Sequence, residues 1–140
     1  MSTAIDSNVL IALWNEDDSL NTQARLALDT ALGRGGLFIA APVFAELLAS
    51  RSRTEVFLDS FCKETSITVD WNLNEAIWRA AGRAFQQYVA RRRKQRDTSP
   101  RRILADFVIG AHALHHGFQL LTLDDRLYRA AFPRLPVLSL

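Results

Sequence analysis

Four carboxylates in this chain stand where a carboxylate is hard to accommodate. Asp6 follows the apolar stretch Thr3-Ala4-Ile5 and precedes Ser7-Asn8 and a second apolar run. Glu46 sits in "PVFAELLA", with Val43 before it and Leu47 and Leu48 after it. Asp106 sits in "RRILADFVIGAHAL", with Ile103 and Ile109 a turn away on either side, and Asp124 comes just after Leu120-Leu121-Thr122. Residues three and four apart on a helix are neighbours, so Glu46 and Asp106 each border an apolar face. A buried charge is unfavourable unless it is paired or binds a metal, and a lone carboxylate there protonates or acquires a compensating cation. Gathered together, such oxygen ligands suit hard divalent cations, Mg²⁺ or Mn²⁺. Those ions activate water and stabilise charge in an in-line attack on phosphorus. The residues by themselves therefore point to a metal-dependent phosphoryl or phosphodiester enzyme.

Each acid also has a plainer role open to it. Glu46 suits a solvated helix flank, and Asp106 suits a cap or a pair with Arg101 or Arg102 one turn earlier. Asp6 has no basic neighbour in sequence, which leaves a tertiary cation as its alternative partner. Asp70 also closes an apolar stretch, and a turn or N-cap role before "WNLNEAIW" accounts for it. The combination of four acids decides the matter only if the fold can bring them together.

The elements that must do so alternate. Short β-like runs at Thr3–Asp6, Leu37–Ala40, Ile67–Asp70 and Gln119–Thr122, with a last one at Val137–Leu140, are separated by helical patterns. The expected helices are Asn8–Trp14, Asn21–Leu32, Pro42–Ala49, Thr54–Glu64, Leu73 to about Arg93, and about Arg101 to His116. Ser7 is a suitable N-cap for the first of them. "GRGG" at 33–36 and Gly117 act as helix stops, and Pro42 suits a first helical turn. Strands alternating with helices imply parallel β/α packing in a three-layer α/β/α domain spanning residues 1–140. Ligands of such folds gather beyond the carboxyl ends of the strands, where Asp6 and Asp124 would both lie.

Length and composition narrow the function further. With 140 residues, 49% hydrophobic and 23% charged, the chain is long enough for a sizeable core. Cys62 is the only cysteine, so no intrachain disulfide framework is possible, and its helical neighbours make it a small core residue. The longest apolar run, Leu37 to Ala45, contains Pro42 and is far too short to cross a bilayer. No charged-then-apolar leader opens the sequence, so a cytoplasmic location is expected.

Of the seventeen basic residues, all but Lys63 and Lys94 are arginine, whose planar fork suits phosphate. Seven of them fall in "RRRKQRDTSPRR" at 91–102: Arg91, Arg92, Arg93, Lys94, Arg96, Arg101 and Arg102. A run this basic favours a polyanion through phosphate contacts and counterion release; a solvated helix end complementing the macrodipole is its alternative. Because it leads straight to Asp106, RNA binding is the expectation. His112, His115 and His116 lack the glutamate of an H-E-x-x-H zinc motif and are expected to complement a helix C-terminus. Trp78 is expected in the core from its helical spacing, and no role in stacking on bases is assigned to Trp14, Trp71 or Trp78.

Four stretches taken in order, "IDSNVLIAL" at 5–13, "PVFAELL" at 42–48, "LADFVIGAHALHHG" at 104–117 and "LLTLDDRLY" at 120–128, resemble a PIN domain. The likeness is to the short single-domain kind found in VapC toxins of bacterial toxin–antitoxin pairs, and it covers nearly the whole chain. It implies a Mg²⁺- or Mn²⁺-dependent endoribonuclease that cleaves RNA with a metal-activated water held by clustered carboxylates. The family's four acids map to Asp6, Glu46, Asp106 and Asp124, with Asp6, Asp106 and Asp124 as metal ligands. Asp125 adjoins the last and is the alternative ligand, although the spacing after "LLT" favours Asp124. Asn8 and Thr122 match polar positions that help hold the acids or water. The resemblance also implies a homodimer restrained by a small VapB-like antitoxin, with the helices at 21–32 and 54–64 as contact surfaces. A PIN-like RNA-binding or assembly module with little catalysis is the competing expectation. A phosphatase with Asp6 as nucleophile ranks last, because Asn8 stands where such enzymes carry a second aspartate.

Overall fold

The computed structural model describes residues 1–98 and 102–140. Its elements in chain order are β1 (Thr3–Ile5), α1 (Ser7–Trp14), α2 (Asn21–Arg34), β2 (Leu37–Ala40), α3 (Ala41–Leu48), α4 (Glu55–Thr65), β3 (Ile67–Asp70), α5 (Glu75–Gln95), α6 (Leu104–His115), β4 (Gln119–Thr122), α7 (Asp125–Ala131) and β5 (Val137–Ser139). The strands form one sheet in the order β3-β2-β1-β4-β5, and every pairing is parallel. Parallel neighbours need crossover connections, which the helices supply. Central β1 and β4 are buried along their whole length, as happens when helices cover both faces of a sheet. The α/β class and the parallel sheet flanked by helices expected from the sequence are what the chain forms.

The chain moves outward from β1 through β2 to β3, then passes back across β1 to β4 and β5. Strand order therefore reverses between β1 and β4. A parallel sheet opens a crevice at such a point, beyond the carboxyl ends of the two strands. Beneath it lies a core of Ile5, Leu10, Ile39, Leu47, Leu58, Ile77, Phe107, Ile109, Leu120, Leu121 and Tyr128, each with almost no exposed surface. Cys62 is part of this core, as its helical neighbours suggested. No helix among the described residues is long and apolar enough to cross a membrane.

Several local expectations change. Ser7, expected as the cap of the first helix, is instead its first residue. Asp6 holds the cap, with Oδ1 accepting the Ser7 N–H at 2.8 Å. Asn74, not Asp70, caps α5, accepting the Ile77 N–H at 3.0 Å. Of the two roles expected for Asp70 it takes the turn, accepting the Asn72 N–H at 3.1 Å. The α6 helix begins at Leu104 rather than near Arg101, and Arg101, with Ser99 and Pro100, lies outside the described residues. Trp78 is 47% exposed rather than part of the core. The α5 helix buries Ile77, Ala81, Ala84 and Tyr88, and one step beyond Ile77 turns a side chain by about 100°. The α7 helix has no counterpart in the sequence-based expectation, because seven residues complete barely two turns of a periodic pattern.

One glycine sets how closely α6 approaches the chain end of α7. A Cβ on Gly110 would lie 2.4 and 2.6 Å from ring atoms of Phe132 and 3.1 Å from Tyr128. Both rings are buried, so neither can swing away freely. Gly110→Ala gains helix propensity of about 1 kcal/mol but overpacks the core by about 1–3 kcal/mol. A net loss of stability is expected, measured as a lower midpoint in chemical denaturation, with no change in the slope.

Candidate active site

Asp6 sits at the end of β1 and is only 4% exposed. Its Oδ2 accepts the Thr122 hydroxyl at 2.8 Å, and its Oδ1 accepts the Ser7 backbone N–H as described. The Thr122 Oγ1 in turn accepts the Asp124 N–H at 3.0 Å. One hydroxyl thus joins the acid that follows β1 to the acid that follows β4, across the point where strand order reverses. Asn8 braces the same loop, its Oδ1 accepting the Leu123 N–H at 3.2 Å. Both polar residues singled out in the sequence therefore hold the acids' supporting backbone.

Glu46, on α3, reaches this group through Ser7, whose hydroxyl donates to Oε1 at 3.4 Å and faces Asp6 Oδ1 at 3.5 Å. It faces the other acids rather than open solvent. Burial, then the charges of Asp6 and Asp106, push its pKa up. Asp106, in the first turn of α6, is pushed up to about 6 by burial and by Asp6 and Asp124, against the opposing pull of Arg102. Burial raises Asp6 as well, with Asp124 adding to it, although hydrogen bonds from Thr122 and Ser7 work the other way. The acids are thus electrostatic neighbours: Asp6 and Asp106 disfavour ionisation of Glu46, Asp6 and Asp124 that of Asp106, and Asp124 that of Asp6.

Asp124 occupies the N-cap position of α7 and is ion-paired with Arg102. Asp125, the alternative, turns toward Arg129 at 3.4 Å along the helix surface. Geometry therefore separates the two adjacent aspartates: Asp124 borders the acidic group and Asp125 points along the helix. Tyr128, from the helix the sequence did not announce, also belongs here. Its hydroxyl is buried and feels the charges of Asp6, Asp106 and Glu46, which with burial drive its pKa far up. It faces Asp6 closely but lacks a well-formed hydrogen bond among the described residues, so its contact with that acid is weaker than that of Thr122. The signal for it was the Leu127-Tyr128-Ala131 spacing after the last acid.

Two of the acids, Asp106 and Asp124, line a cleft of about 1010 Å³ whose other walls include Tyr88, Arg91, Arg92, Arg102 and Arg126. The basic run is divided by it. Arg91, Arg92 and Arg102 line the cleft, whereas Arg93 and Arg96 line a separate shallow groove that Arg92 also borders. Lys94 is exposed and in neither. Arg126, from α7, joins the cleft and was not anticipated. No tryptophan lines it.

The donor set fits a hard divalent ion, because every atom the four acids offer is oxygen. The acids stand apart rather than closing a cage, with Asp124 drawn to Arg102. Mg²⁺ is commonly bound by one or two carboxylates while it keeps several waters, and a site this open matches that habit. The histidines are elsewhere. His112 is fully buried and meets Asp70, His116 meets Asp70 as well, and His115 meets Asn74.

Comparison with known proteins agrees with this architecture. Residues 3–133 match the PIN domain. No curated protein matches the chain. Among solved structures, a chain of the VapBC2 complex of Rickettsia felis, bound to a DNA fragment from its promoter, superposes with a TM-score of 0.66 at 15% identity, covering 99% of this chain and 98% of that one. A chain of a toxin–antitoxin complex from Klebsiella pneumoniae gives 0.66 at 19% identity, covering 98% and 96%. VapC20 of Mycobacterium tuberculosis, described as a sarcin–ricin loop cleaving toxin, gives 0.53 at 16% identity, covering 84% and 85%. At these identities the likeness is one of fold.

Proposed function

The chain belongs to the PIN domain family, and on that premise we propose that it is a Mg²⁺- or Mn²⁺-dependent endoribonuclease, the toxin of a VapBC-type pair. One observation carries the proposal. A buried aspartate stands among three further acids at the strand-order reversal, beside a cleft lined by arginines. Clustered carboxylates whose pKa values are raised, with Arg102 as the one basic side chain among the described residues paired to an acid of the group, favour a cation, and arginines along the approach favour a phosphate backbone.

In this proposal Asp6, Asp106 and Asp124 hold the ion, which supplies Lewis acidity and positive charge at the scissile phosphate. Thr122 fixes Asp6, and Asn8 fixes the loop that carries Asp124. Glu46, with its raised pKa, is suited to take up the proton released by the attacking water. Arg91 and Arg126, both lining the cleft, bind phosphates. The partners follow from the same resemblance: an RNA substrate, a second copy of the chain in a homodimer, and a small VapB-like antitoxin. The toxin–antitoxin complexes among the structural neighbours support the last of these. A cytoplasmic site of action is part of the proposal.

The test is incubation of antitoxin-free protein with total cellular RNA and Mg²⁺ or Mn²⁺, beside a chelated control. Discrete fragments that vanish on chelation are expected. Folded protein that binds RNA but cuts nothing under either metal would move the non-catalytic binding module ahead.

The divided basic run gives a second expected result. Arg91→Ala combined with Arg126→Ala should weaken RNA binding and lower its salt-dependence slope by about 1–2, one phosphate contact per arginine. Arg93→Ala with Arg96→Ala, in the other groove, should change the slope far less. Binding titrations at several salt concentrations compare the two pairs.

A further inference from the structure

Outside the acidic pocket, the described residues contain one set of three metal-ligating side chains whose ligand atoms all lie within 4.8 Å of one another: Asp70, His112 and His116. Asp70 closes β3, and the two histidines are four apart, His112 in the last turn of α6 and His116 at its C-cap, and both meet Asp70. The Asp70 Oδ2 lies 2.9 Å from His112 Nε2 and 3.3 Å from His116 Nε2. Two ligand atoms bound about 2.0–2.1 Å from a tetrahedral ion stand roughly 3.3 Å apart. The spacing is already close to what such an ion requires.

We propose that Asp70, His112 and His116 form a second metal site, separate from the acidic pocket, for a transition-metal ion of the zinc class. The donor chemistry separates the two sites. Imidazole nitrogens favour borderline ions such as Zn²⁺ or Co²⁺, whereas all-oxygen sets favour Mg²⁺ or Mn²⁺. His112 lies six residues beyond Asp106 on α6, about 9 Å along the helix axis, so the sites share a helix without sharing a ligand.

The site is built and open. His112 is wholly buried, which fixes one ligand, while the His116 and Asp70 side chains are 34% and 21% exposed. An ion enters from that side, and solvent fills the fourth position, as in three-ligand zinc sites. The His116 ring stacks on Phe118 at 5.4 Å, and Phe118 stacks on Phe38 of β2 at 4.5 Å. Those stacks orient the second histidine. Both histidines also lie at the C-terminal end of α6, where the helix dipole favours a cation. An ion there would tie edge strand β3 to α6.

The probes are Zn²⁺ and Co²⁺, tested on the full chain and on an Asp6→Asn/Asp106→Asn variant that disables the acidic pocket. Zn²⁺ should raise the melting temperature of both proteins by several degrees, since an ion that binds only the folded state stabilises it. Co²⁺ should give the strong visible absorption of a tetrahedral site in both, and Mg²⁺ at equal concentration should reproduce neither effect. His116→Ala keeps the Asp70–His112 pair, so it should fold yet lose both signals. His115→Ala should retain them. Three results would each overturn the site: no Co²⁺ spectrum in the folded protein, a response that survives His116→Ala, or a response lost with the acidic pocket. In the first case the cluster is an Asp70–His112 hydrogen bond only.

Discussion

Asp6→Asn should reduce RNA cleavage by about 10³-fold while leaving the fold as stable as before, or more so. The activity loss follows from position, since Asp6 is the most buried of the four acids and is fixed from two sides. The stability gain follows from sign. Burial raises the folded-state pKa of Asp6 above its ordinary value, so folding binds a proton more tightly than the unfolded chain does. Its contribution is fully present below the unfolded pKa and is lost as the pH rises through the folded one. Above the unfolded pKa this carboxyl therefore opposes folding, and an uncharged amide of the same shape removes that opposition. Asparagine is the right replacement because alanine would also strip the helix cap and strand the Thr122 hydroxyl, costing about 1 kcal/mol for the cap alone. Cleavage assays and thermal melts on the same preparation separate the two effects. Equal losses of activity and stability would make Asp6 a structural residue.

Metal-free protein should lose stability as the pH rises toward and through about 6, the folded pKa of Asp106. The unfolded carboxyl titrates near 3.8, so the folded state holds the extra proton across the interval between. Above that interval this group contributes no further slope. Mg²⁺ requires the ionised carboxylate, so its stabilising effect should grow over the same range, and below it apparent affinity should fall by about tenfold per pH unit for each proton displaced. Melts with chelator and with Mg²⁺ should therefore diverge as the pH rises from about 4 to about 6, the chelated protein losing stability that the Mg²⁺-loaded protein keeps, and the chelated curve should level off above that. Asp106→Asn should flatten both. If that variant keeps the full pH dependence and the full Mg²⁺ response, Asp106 is not part of the metal's environment.

Much of the sheet was legible because its strands are short apolar runs closed by recognisable residues. Asp6 announced itself as a carboxylate between two apolar segments, whereas Thr122 and Asn8 were marked only by the resemblance to the PIN family. What escaped the sequence was tertiary. Asp70 and His112 are 42 residues apart, so neither signals the other, and the histidines looked like mere dipole partners. The basic run read as one patch, but successive side chains on α5 diverge by about 100°, which sends Arg91 and Arg93 to different grooves. Arg126 and Tyr128 arrive on α7, whose two turns carry too little periodicity to be seen. The cap was assigned to Ser7 because a serine there is the ordinary choice, yet the carboxylate one residue earlier performs it.

The hydrogen bond from Thr122 to Asp6 spans 116 residues, and β1 lies in the middle of the sheet with β2 on one side and β4 on the other. During synthesis the first strand and its aspartate therefore remain without their partner until Thr122 of β4, 116 residues later, has been translated. A nascent or prematurely terminated product that lacks β4 has no Asp124, no Thr122 tie and one open flank on β1. If the four acids do the chemistry proposed above, a product that stops before β4 is expected to be inactive.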